Sequence, residues 1–188
     1  MAIISASGTC SETHVNILVA GRWLGLIAYI MNGGVAEARG TYQQPDEFVR
    51  EAFSGNPPKP QLLWLTAPMQ AEASRILGHG LAARRVRHWR TNTRSVWILE
   101  EIGKEEPITT GFVIEDGRIE QVKVLIYRES RGDEVRHAPF TRQFRDARLT
   151  GRNELDRTID VISGASLSVS ALTRLARLAL YLHAQTGS

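Results

Sequence analysis

Three consecutive stretches decide the fold class: Ile108-Thr-Thr-Gly-Phe-Val-Ile-Glu115, then Asp116-Gly117, then Arg118-Ile-Glu-Gln-Val-Lys-Val-Leu-Ile-Tyr127. Two runs rich in β-branched and aromatic residues flank an Asp-Gly pair. A type I′ turn needs positive φ at both central positions, so this pattern predicts a tight β-hairpin. Strict alternation along the second run puts Val122, Val124 and Ile126 on one face, with Gln121, Lys123 and Leu125 on the other.

Working outward, Ser95–Ile102 reads as a further strand, and Arg84–Arg90 as an imperfectly alternating one. Leu62–Leu65 reads as a short buried strand. Pro45–Phe53 fits a short helix with Phe48, Val49 and Phe53 on one face. Pro57, Pro58 and Pro60 mark a loop after it, because proline removes donors and forbids helix. Ala67-Pro68 opens a helix that ends near Leu77, before Gly78. Pro139–Arg145 fits a short helix, and Ala165 to about His183 a long one, with Leu172, Leu175, Ala176, Ala179 and Leu182 at helical spacing. The expected class is α+β, a small domain whose mostly antiparallel sheet packs against helices.

Composition sets wide bounds. The chain has 188 residues, a formal charge of +3 and 43% hydrophobic residues, which excludes collagen-like, disordered and multi-span membrane classes. A single cysteine, Cys10, excludes a disulfide scaffold. The cations are 20 Arg against 3 Lys, which favours bidentate contacts with anions. So small a net charge argues against a nucleic-acid partner.

The N-terminus reads differently. Arg22, the apolar run Trp23–Met31 and the ending Ala36-Glu37-Ala38 follow the order of a secretory signal. Residues 1–38 are therefore expected to be a signal peptide, the alternative being a buried N-terminal helix or strand. Export would place the remaining, cysteine-free chain outside the cytoplasm, in a periplasmic or other extracytoplasmic space.

The start of the last helix carries the functional signal. In Asp160-Val-Ile-Ser163-Gly164-Ala165-Ser166, Ser163 is placed to cap the helix and Gly164 to let another group approach the backbone. Ser166 falls in the first turn, where amides lack acceptors within the helix and the dipole favours an anion. The residues alone support either an anion or phosphate site or an ordinary cap.

The run Asp160-x-x-Ser163-Gly164-Ala165-Ser166 resembles the flavinylation motif of the FMN-binding domain family, Asp-x-x-Ser/Thr-Gly-Ala-Thr/Ser. Gly111–Arg128 is similar to that family's strand pair, Glu129-Ser-Arg-Gly132 to its Glu-Thr-Pro-Gly loop, and Gln143-Phe144 to its Gln-Phe pair. The resemblance covers about residues 95–182, so residues 95–188 are expected to form an FMN-binding domain. Residues 39–94 form an N-terminal part without counterpart.

The resemblance implies FMN as cofactor, joined by a phosphoester to Ser166, which would be a phosphorylated residue. A flavin transferase using FAD and magnesium would make the bond, with Asp160, Ser163, Gly164, Ala165, Glu129 and Gly132 shaping the site. It also implies electron transport between redox partner proteins, one of them a membrane or soluble reductase, rather than an enzyme with its own substrate. The alternatives are a module that holds FMN or another phosphate ligand reversibly, and a sensor or assembly factor of a redox complex. Arg128 and Arg131 are candidates to stabilise anionic reduced flavin.

Other residues read more plainly. Arg84, Arg85, Arg87 and Arg90 with Trp89 fit either a phosphate grip or a solvated strand face, and Asp133 and Glu134 an exposed turn. Of Trp64, Trp89 and Trp97, at most one is expected to touch a flavin ring. His79, His88, His137 and His183 lack metal-ligand spacing. A nucleophile elbow and a Gly-x-Gly-x-x-Gly nucleotide loop are also absent.

Overall fold

The computed structural model describes residues 39–187, so the signal-peptide reading of residues 1–38 lies outside the described residues. Six strands form one antiparallel sheet: β1 (Gly40–Thr41), β2 (Gln61–Trp64), β3 (Arg85–Arg90), β4 (Arg94–Ile102), β5 (Pro107–Glu115) and β6 (Arg118–Tyr127). Their order is β1-β6-β5-β4-β3-β2. The helices are α1 (Pro45–Ala52), α2 (Ala67–Leu77), the short α3 (Ala138–Thr141) and α4 (Ser166–Gln185). The architecture is the expected α+β, and strands from before residue 95 join the same sheet as those after it.

Asp116 and Gly117 both take positive φ, 49° and 72°, as a type I′ turn requires, and Glu115 pairs with Arg118. The strict alternation predicted for β6 breaks. Thr109 pairs with Ile126 but Thr110 with Val124, so Leu125 is an unpaired bulge residue. One extra residue reverses the facing of everything beyond it. Val122 and Val124 join the larger core, whereas Ile126 packs with Leu125 on the opposite face.

The larger core lies under α4, whose Leu172, Leu175, Ala176, Ala179 and Leu182 are all buried against Trp97, Phe112, Val122 and Val124. Helix α2 closes the same face through Ala73, Ile76 and Leu77 and ends on Gly78 at φ 79°. Buried Glu101 of β4 ties it down, meeting His79 at 2.9 Å and Arg174 of α4 at 3.3 Å. The opposite face carries a smaller cluster, Phe48 and Val49 of α1 on Trp89, Val96, Val113 and Leu125.

Gly111 makes that second packing close. A Cβ there would stand 2.6 Å from Cδ1 and 2.8 Å from Cζ of the Phe48 ring. Gly111→Ala is expected to lower the unfolding free energy by about 1–3 kcal/mol through overpacking. A urea titration checks this, and Phe48→Leu in the same chain should recover part of the loss.

Leu62–Leu65 is not the buried strand expected. β2 ends the sheet, and only Leu63 and Leu65 turn toward the core, while Leu62 and Trp64 are exposed. Arg84, Arg85 and Arg87 are solvated, and Arg90 instead bonds Thr186 Oγ1 at 2.6 Å beyond the end of α4. Trp97 is fully buried, stacked on His88 at 4.6 Å, and Trp89 belongs to the smaller cluster.

Candidate functional site

Antiparallel order brings three chain segments to one end of the sheet. They are the turn after β4, the loop after β6 and the start of α4. Between them lies a cleft of about 290 Å³ lined by Lys104, Glu105, Glu129–Arg131 and Gly164–Ser168. Its size is at the low end for a small-molecule site.

The wall of the cleft is fixed by Glu129, which is 5% exposed. Its Oε1 accepts from the backbone amides of Lys104, Glu105 (2.7 Å) and Glu106 (3.0 Å). Burial alone would push this carboxyl up, but the three amides outweigh it and hold it below its ordinary 4.5. Gly103 is required beside it, since a Cβ there would sit 2.9 Å from the same oxygen. Glu129 therefore serves the turn, and its negative charge is neutralised by donors rather than left facing an anion.

The second fixed point is Tyr127 at the end of β6. Its hydroxyl donates to Arg131 O at 2.6 Å and lies 3.0 Å from Ser168 Oγ. Burial pushes the phenol up to about 12, so it stays protonated. Gly132, at φ 83°, lets this loop meet the helix: a Cβ would stand 3.0 Å from Tyr127 Oη, 3.2 Å from Ala165 Cβ and 3.3 Å from Ser168 Oγ. Gly132 and buried Ala165 thus set the distance between the loop and α4.

At the helix start the cap differs from the expectation. Ser163 does not cap α4, and the helix begins at Ser166, one residue later than expected, with Ala165 in the capping position. Ser163 and Gly164 instead occupy the middle of a turn closed by Ala165 N donating to Ile162 O at 3.0 Å, with Gly164 at φ 83°. The turn leaves Ser166 exposed in the first helical turn. The amides of Ser166, Leu167 and Ser168 have no acceptor within the helix and carry the positive end of its dipole.

Of the residues expected in the site, Ser166, Gly164, Ala165 and Glu129 line the cleft, and Gly132 supports it from behind. Asp160 and Ser163 are exposed and do not line it. Asp160 is held from the side, its amide donating to Gln143 Oε1 at 2.8 Å. Arg131 lines the cleft, whereas Arg128 turns to the sheet, where it donates to Pro107 O and Thr109 Oγ1, each at 3.0 Å. None of Trp64, Trp89 or Trp97 lines the cleft. Lys104, Tyr127 and Ser168 were not legible as site residues. The available signal was the register that puts Gly103 and Glu129 at one end of β4 and β6, the two strands that flank β5.

An exposed hydroxyl beside amides without helical acceptors, with Arg131 on the lining and Lys104 paired to Glu105 at 3.1 Å, makes a cleft suited to an anion on an α+β scaffold. Residues 103–181, from the turn after β4 into α4, match the family model of the FMN-binding domain. The chain carries an FMN-binding domain, and its cofactor is FMN. No curated protein and no solved structure matches the chain. The donor set fits the cofactor's phosphate, which Ser166 with its neighbouring amides and Arg131 would hold; the flavin itself supplies the redox chemistry when bound.

Proposed function

We propose that this is an exported electron carrier whose FMN is attached through a phosphoester to Ser166. One observation carries the reading: within the FMN-binding domain, the hydroxyl at the acceptor position of the motif is exposed at the mouth of an anion-binding cleft. A flavin transferase would supply FAD. The Ser166 oxygen forms a bond to the FMN phosphorus, the pyrophosphate bond breaks, AMP leaves, and the hydroxyl proton is lost. Attachment by the tail leaves the ring unmodified and prevents loss of the cofactor outside the cytoplasm. Arg131 would favour the anionic reduced ring electrostatically.

Intact-mass measurement tests this after coexpression with a flavin transferase. Wild type is expected to gain one FMN, less one water, on a chain shortened near Ala38, and to keep yellow fluorescence on a denaturing gel. Ser166→Ala should lose both signals of covalent flavin while remaining folded. Release of all flavin from wild type on denaturation would replace this reading with a module that holds FMN reversibly.

A further inference from the structure

The sheet face opposite α4 is only partly covered among the described residues. Helix α1 packs there over β4 and β5. The end formed by β2, by the start of β3 and by the close of β4 carries Leu62, Trp64, Arg85, Arg87 and Ile102. Register fixes their common facing. Leu63 and Val86 turn into the large core, so their neighbours Leu62, Trp64, Arg85 and Arg87 turn the other way. Leu62 pairs directly with Arg87, and Trp64 with Arg85, whose guanidinium lies 5.6 Å from the indole centre.

Three features of this patch belong together. Trp64, Leu62 and Ile102 are 63%, 48% and 48% exposed, a large apolar area for the end of one sheet. Arg85 and Arg87 are exposed and make no ion pair among the described residues. Leu62 and Trp64 stand out from a terminal strand, and Ile102 from the close of β4. Protein hot spots lock into complementary recesses, whereas a lipid surface yields to protruding tips. Tryptophan with arginine beside it is also the pairing that suits the headgroup boundary.

We propose that this end of the sheet is a peripheral docking surface for an anionic lipid bilayer. Trp64, Leu62 and Ile102 enter the headgroup region while Arg85 and Arg87 meet lipid phosphates. Association is peripheral, since among the described residues no helix is long and apolar enough to cross a membrane. The antiparallel order puts Trp64, Arg85 and Ile102 at the same end of the sheet as the Ser166 cleft. Docking therefore holds that cleft beside the lipid surface, within reach of a membrane-embedded donor.

The test needs no flavin, so it stands or falls apart from the carrier reading. The full chain and its variants are sedimented with vesicles of phosphatidylglycerol and phosphatidylcholine, and with phosphatidylcholine alone. Because the patch variants share everything outside the patch, differences between them and the wild type carry the result. Arg85→Glu with Arg87→Glu is expected to lower partition onto the anionic vesicles by about tenfold or more at low salt. Trp64→Ala should lower it severalfold and remove the blue shift of emission on binding. Arg142→Glu with Arg145→Glu, on the segment beside β6, should leave binding unchanged. Salt should weaken the wild type and narrow the gap. Equal partition of wild type and the Arg85/Arg87 variant overturns the proposal, as does an equal loss in the Arg142/Arg145 variant. An acidic protein probe, flavodoxin, bound through Arg85 and Arg87 without any vesicle affinity would also overturn it, assigning the surface to a protein partner.

Discussion

Replacing Glu129 with alanine is expected to lower the unfolding free energy by about 2–4 kcal/mol and to abolish stable flavin loading. One carboxylate oxygen accepts the amides of Lys104, Glu105 and Glu106, and charge-assisted bonds of this kind are individually worth about 1.5–3 kcal/mol. The contributions do not add in full, because the turn is exposed and its amides rehydrate once released. What does not recover is position, since Lys104 and Glu105 form one wall of the cleft and the turn is otherwise closed by the single bond from Gly103 N to Glu106 O at 3.0 Å. Glu129→Gln keeps an acceptor oxygen without the charge and should fall between the two. The carboxyl is held below its ordinary 4.5, so its stabilisation is present above that value and is lost as pH falls through the lower native value. The gap between wild type and Glu129→Gln should accordingly close in that acid range. Amide exchange at Lys104–Glu106, read with urea titrations, checks the account. Unchanged protection in Glu129→Ala would refute it.

Where local signals act alone, the sequence was a reliable guide to this fold. Asp116-Gly117, the Gly78 stop and the apolar stripe of α4 each reflect a conformational preference or a period contained within a few residues. The failures have a common physical source. The bulge at Leu125 cannot be seen in alternation, because its cause is the partner strand, and it sends Ile126 to the other face. Leu62-Leu-Trp-Leu65 looks like a buried strand until the sheet order puts it at the edge among the described residues. Ser163 has the chemistry of a cap, yet Gly164 at positive φ turns the chain before the helix begins. At the site, the motif gave Ser166 but not Tyr127 or Lys104, whose parts depend on the loop after β6 meeting α4 and on the turn after β4 meeting Glu129.

The second large effect is acid lability between about pH 6.5 and 4, set far from the cleft. His183 near the end of α4 is 8% exposed, with Nδ1 2.7 Å from Ser95 Oγ, which also accepts from the Trp97 indole at 2.8 Å. Burial, reinforced by Arg90, pushes it from 6.5 down to about 4, while Asp116 and Glu115 only partly oppose that. Neighbouring His88 is lowered in the same direction by burial and by Arg90, with the Val86 backbone opposing them. The unfolded chain therefore takes up protons first as pH falls. Stability is intact above the unfolded value of 6.5, declines through the window, and stops declining for this group once the native histidine also protonates. For His183 alone the loss is about 3 kcal/mol, with a slope approaching 1.4 kcal/mol per pH unit. Urea midpoints measured from pH 7.5 to 4.5 should show this fall before the Glu129 window is reached. His183→Gln should start lower, through loss of fit at Ser95, but decline less steeply. Parallel slopes for wild type and His183→Gln would mean that the acid sensitivity originates elsewhere.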